Sequence, residues 1–74
     1  MSRKYLVIYE RAEGNWSAYV PDLPGCTTVG DTLEETKLNV REAIEGHLET
    51  MREFGDPIPE PSSVVGEVEV ESAA

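Results

Sequence analysis

Basic residues are scarce in this sequence: six lysines and arginines stand against fifteen aspartates and glutamates in 74 residues, for a formal net charge of −9. A field of that sign repels the phosphate backbone that dominates nucleic-acid affinity, so direct binding of DNA or RNA is not expected. Cysteine is nearly absent. Cys26 alone can form no intramolecular disulfide and supplies no cysteine-rich zinc site. Histidine is limited to His47, which removes paired-histidine metal spacings and leaves one candidate imidazole base. Long apolar runs are missing as well: the longest is Tyr5 to Tyr9, far short of the roughly 20 residues of a membrane span. The Ser2-Arg3-Lys4 start is not followed by a signal-peptide hydrophobic region. These absences, and a lone cysteine suited to a reducing compartment, point to a cytoplasmic protein without membrane association.

What is present must build one thin core, read as a single domain over residues 1–74. Chains this short commonly add disulfides, a metal or an oligomeric interface; with the first two excluded, self-association as a dimer or tetramer is the expected supplement. The acidic excess would steer a basic protein partner, and it also serves solubility.

The run Lys4 to Glu10 is rich in β-branched and aromatic residues and reads as a first strand, about 4–10. Trp16 to Val20 makes the return strand of a hairpin, with Gly14-Asn15 supplying the permissive backbone. Tyr5, Val7 and Tyr9 share one face of the first strand and Leu6 and Ile8 the other, so both faces are apolar. Pro21-Asp22-Leu23-Pro24-Gly25 cannot continue a central strand and is read as a rigid corner. A short third strand follows over about 26–29, ended by Gly30. Asp31, with Glu34 three residues on, resembles a capping box that opens a helix over about 32–54. On that helix Leu33, Thr36, Val40, Ala43, Ile44, His47, Leu48, Met51 and Phe54 fall on one face, and Glu35, Glu42, Glu45, Glu49 and Glu53 gather opposite. Gly55 followed by Asp56-Pro57 stops it. Such a helix spans roughly 35 Å at 1.5 Å per residue and should overhang a small sheet. A proline-spaced connector over 55–63 leads to an alternating Val/Glu segment, about 64–71, expected as a half-buried edge strand. Ser72-Ala73-Ala74 is expected to fray. The fold class is therefore α+β: a small antiparallel sheet with one long helix packed on it, in the order β-β-β-α-β.

Chemistry is hard to build from these residues. His47 sits on the apolar helix face, where a satisfied packing or interface role is the commoner fate. Cys26 is read as a small buried hydrophobe rather than half of a dyad. A metal-dependent nuclease could draw on Glu10, Asp22 and Asp31, but Asp31 is accounted for as a cap and Asp22 as a turn residue. There is no phosphate-cradling glycine loop and no dinucleotide fingerprint. The expectation is no catalytic residue, no metal and no cofactor. Leu38, isolated among acids on the outward helix face, and the second apolar face of the first strand lack a partner within so short a chain. A protein-binding surface follows, with Asp22, Glu35, Leu38 and Glu42 as candidate partner contacts. Pro21, Pro24, Gly25, Gly30, Asp31 and Gly55 are assigned to the scaffold.

Tyr19-Val-Pro-Asp-Leu-Pro-Gly-Cys26, then Gly30-Asp31-Thr32, Leu33-Glu34-Glu35, a helix holding Glu42-Ala43-Ile44 with Leu48, and Gly55-Asp-Pro-Ile-Pro-Glu-Pro61 together resemble the HicB antitoxin domain over nearly the whole chain. That resemblance implies an arrangement similar to a pared-down ribonuclease H fold without that enzyme's activity. It also implies assembly as a homo-oligomer and a partner in HicA, a small basic toxin that cleaves RNA. Many HicB proteins carry a C-terminal operator-binding segment, for which no counterpart is found here, so the resemblance is to a stand-alone form.

Overall fold

The computed structural model describes residues 2–72. Its elements are β1 (Ile8–Ala12), β2 (Asn15–Tyr19), β3 (Thr27–Gly30) and α1 (Leu33–Glu53), with the strands joined as an antiparallel sheet in the order β1-β2-β3. The class is α+β, as the pattern of the sequence requires.

β1 and β2 form a hairpin closed by Glu13-Gly14, between the paired residues Ala12 and Asn15. Gly14 takes φ 82, a region closed to most side chains, and Asn15 is the first residue of the return strand rather than part of the turn. The first strand lies later than its composition suggests, starting at Ile8 and running through the polar Glu10-Arg11-Ala12. The reason is at the other end of β2. Val20 opens a turn closed by Leu23 N–H to Val20 O, and Pro21 has no N–H to offer, so the ladder ends at Ile8↔Tyr19 and residues 2–7 carry no strand pairing. Arg11 lies over its register partner Trp16, 5.9 Å from the ring centroid, a cation–π contact that lends this polar end some cohesion.

The proline corner resolves into two successive β-turns. Leu23 N–H donates to Val20 O at 3.0 Å around Pro21-Asp22, and Cys26 N–H donates to Leu23 O at 3.0 Å around Pro24-Gly25. Each proline supplies the fixed φ of the second turn position, and Gly25 at φ 84 supplies the positive φ that a type II turn needs after Pro24. Leu23, shared by both turns, is driven completely out of solvent.

The helix starts one residue later than expected. Thr32, not Asp31, is the N-cap: its hydroxyl accepts from Glu35 N–H at 3.0 Å, while the Glu35 carboxylate accepts from Asp31 N–H at 3.0 Å. Thr32 thus caps as in a capping box, except that the Glu35 carboxylate reaches one residue further back, to Asp31 N–H. Asp31 is exposed and precedes the cap. The C-terminus closes as anticipated around Gly55 at φ 71, with Gly55 N–H to Arg52 O at 3.1 Å and Asp56 N–H to Met51 O at 2.9 Å. These are the two bonds of a Schellman motif.

α1 lies across β2 and β3. The approach at Gly30 is tight: an added Cβ would stand 2.5 Å from Thr36 Oγ1 and 2.8 Å from Thr36 N. Thr36 is itself buried, and its hydroxyl donates back to Thr32 O at 2.7 Å, so burial leaves no polar atom unmet. Asn39 Nδ2 donates to Val29 O at 2.9 Å, tying the helix to β3. The core is thin, as the length demanded: Ala18, Val20, Leu23, Cys26 and Val40 are buried, and Tyr5, Val7, Tyr9, Ala43, Ile44 and Leu48 pack around them. Phe54, predicted on the apolar face, is the C-cap residue and is 75% exposed.

The expected fifth element does not form. No strand follows α1 among the described residues, and Val64, Val65, Val68 and Val70 are 76 to 87% exposed. A strand of that pattern needs a neighbour to complete its backbone hydrogen bonds, and the segment reaches none. Fraying of Ala73 and Ala74 lies outside the described residues.

Candidate partner-binding surface

The outward face of α1 carries three of the four sequence-predicted contacts. At about 100° per residue, Glu35, Leu38 and Glu42 fall on one stripe continued by Glu45 and Glu49. All five are exposed, and Leu38 is 66% accessible at the centre of the acid. The Glu35 carboxylate is also used within the chain, accepting from Asp31 N–H. Lys37, three residues from Glu34 at 3.8 Å, offsets little of this charge, because an exposed pair of that length is worth a fraction of a kcal/mol. The arrangement can present an acidic field with one apolar anchor to a basic surface.

Asp22 is placed elsewhere, in the proline corner, and its carboxylate is used inside the chain. Oδ2 accepts from the backbone N–H groups of Ser62 at 2.9 Å and Ser63 at 3.0 Å, and Oδ1 accepts from their hydroxyls at 3.1 and 2.9 Å. The Ser63 and Ser62 backbone donors, joined by the hydroxyls, lower its pKa to about 2. Asp22 is thus a clamp for the segment after the helix. No feature of the Pro-Ser-Ser sequence announced this role, since the partners lie 40 and 41 residues away.

A groove of about 420 Å³ was not anticipated from the sequence. It runs between α1 and the flank of β1, with a floor of Tyr5, Val7, Tyr9, Val40, Ile44 and Leu48. Arg3, Lys37, Arg41 and Arg52 border it together with Glu45, so four of the six basic residues of an acidic chain meet at one place. The Lys37/Arg41 spacing of four residues, one helical turn, was the available signal.

The remaining candidates do not assemble into a reactive centre. Cys26 is buried, which pushes its thiol pKa up and disfavours the thiolate. His47 is half-buried, and among the described residues no hydrogen bond joins it to Cys26. Glu10 lies within β1, Asp22 at the corner and Asp31 before the helix; among the described residues no three acid, histidine or cysteine side chains come together to hold a metal ion. Among the same residues no helix is long and apolar enough to cross a membrane.

Residues 5–72 match the family described as the HicB-like antitoxin of bacterial toxin–antitoxin systems. The chain belongs to that family. Relatives include a 14.9 kDa protein of the rep-hol intergenic region of Haemophilus phage HP1, 38% identical over 60 residues. The match covers 81% of this chain but only 45% of the phage protein, so the chain spans under half of that relative's length. A UPF0150 protein of Thermoplasma acidophilum is 40% identical over 57 residues, covering 76% of this chain and 83% of the relative. One from Synechocystis is 35% identical over 69 residues, covering 93% and 94%. Among solved structures, a chain of the HicA3 and HicB3 toxin–antitoxin complex superposes with a TM-score of 0.70 at 28% identity, over 81% of this HicB-like chain and 70% of that one.

Proposed function

We propose that this chain acts as an antitoxin: it binds a small, basic, RNA-cleaving HicA-like toxin and covers its active surface, with no catalysis of its own. The likeness to a chain of a toxin–antitoxin complex carries the reading. The acidic stripe around Leu38 supports it physically. Exposed carboxylates aligned on one helix steer a basic partner, and a central apolar side chain gains affinity once water is excluded. In this reading Glu35, Leu38 and Glu42 face the toxin, the protein works in the cytoplasm beside its target, and it assembles as a homo-oligomer.

The test is co-expression of the full chain with the protein encoded by the adjacent reading frame, followed by size-exclusion chromatography and an RNA-cleavage assay. Co-elution with suppressed cleavage is expected. Separate elution, or cleavage at the uninhibited rate in a co-eluting mixture, overturns the proposal.

A further inference from the structure

Among the described residues, two strand-prone segments lack a strand partner. One is the open flank of β1 with the residues before it, Tyr5 to Ala12, since β1 pairs only with β2. The other is the arm Val64 to Glu71, whose even positions Val64, Val68 and Val70 form one face and whose Glu67, Glu69 and Glu71 form the other. Both are eight residues long. The apolar groove bordered by Arg41 and Arg52 lies beside the first, and among the described residues neither arginine has an ion pair. The arm is acidic and carries no base.

Two latches fix where the arm begins, and beyond them Val64, Val68 and Val70 are exposed, with no arm residue lining the groove. Tyr5 Oη donates to Pro59 O at 2.6 Å, and Asp22 then holds Ser62 and Ser63. The chain between the latches thus runs from the residues before β1 to the proline corner after β2. The arm departs there. The longest dimension of the molecule is 51 Å, well beyond the roughly 32 Å of a 21-residue helix.

We propose that the arm Val64–Glu71 is exchanged between two copies of this chain, each arm adding as a strand to the open β1 flank of the other, its valines on the groove floor and its glutamates near the basic border. Strand addition satisfies backbone groups that the arm and the β1 edge otherwise leave to solvent. An identical element traded reciprocally closes on a two-fold dimer. Proximity of opposite charges at the border offsets locally the repulsion between two acidic chains. The inference does not rest on the antitoxin reading, and its test needs no toxin.

The experiment is isotope-filtered nuclear Overhauser spectroscopy on a mixture of labelled and unlabelled full-length chain, with the mass measured by light scattering. A dimer of twice 8.2 kDa with intermolecular contacts from the Val68 and Val70 methyls to Val7 and Ile44 is expected. The double variant V68D/V70D, at two exposed positions outside the core, should keep the helical circular-dichroism signal and halve the mass. A monomer, a dimer whose arms contact nothing across the interface, or arm contacts within one chain overturns the proposal. So does an arm that orders only when a toxin is added.

Discussion

Asp22 and Ser63 are 41 residues apart in sequence and joined twice in space, at 3.0 Å through the Ser63 backbone N–H and at 2.9 Å through its hydroxyl. With Ser62 making the same pair of bonds, one carboxylate fixes where the chain after the helix leaves the body. A carboxylate held at a pKa of about 2, against an ordinary 3.8, binds its proton less readily folded than unfolded. The clamp therefore contributes fully above pH 3.8 and loses its contribution as pH falls towards 2. The Ser62 and Ser63 amide resonances should stay fixed as pH falls through 3.8 and move with a midpoint near 2. A midpoint at 3.8 would show the clamp absent in solution. Asp22→Asn should release the segment at neutral pH.

Thr32→Ala removes the hydroxyl that caps α1 and should cost about 1 kcal/mol, a fall of about 4–8 °C in melting temperature for a chain of this size. Asp31→Ala, before the cap, should stay within about 0.5 kcal/mol of the parent. Thermal denaturation of the two variants side by side checks the assignment; equal losses would return the cap to Asp31.

Gly30→Ala should destabilise by about 1–3 kcal/mol, because the new methyl meets both Thr36 Oγ1 and the helix backbone. The double variant with Thr36→Ala removes the hydroxyl but not the backbone nitrogen 2.8 Å away, so recovery in urea denaturation should be partial. Full recovery would mean that the helix can shift to relieve the close approach.

Glu42→Lys reverses one charge of the outward helix face and Leu38→Ala removes its apolar anchor. Each should weaken toxin binding about tenfold, or about 1.4 kcal/mol, measured by calorimetry. Neither should lower the melting temperature, since both residues are exposed. Loss of binding and folding in parallel would make this face structural.

Local signals in the sequence were read most securely where one short stretch contains its own cause. Pro21 and Pro24-Gly25 dictate their turns, Gly55 its helix stop, and the spacing of Val40, Ala43, Ile44 and Leu48 the buried helix face. The helix starts one residue beyond the expected cap because Asp31 and Thr32 are both good caps, and only the bond that the Thr32 hydroxyl accepts from Glu35 N–H separates them. The outward acidic stripe was legible for the same reason as the buried face: 3.6-residue periodicity sorts both at once.

Composition and periodicity thus determined the α+β class, a thin core and the acidic helix face, because each follows from interactions within a few residues or from simple segregation of apolar side chains. Only the tertiary structure decided that Lys4 to Val7 stand outside the ladder, that Asp22 clamps Ser62 and Ser63, that Arg41 and Arg52 border an apolar groove with Arg3, and that Val64 to Val70 stay unpaired. Strand pairing and side-chain clamps depend on partners distant in sequence, and β propensity states only that a segment can pair, not that a neighbour is within reach.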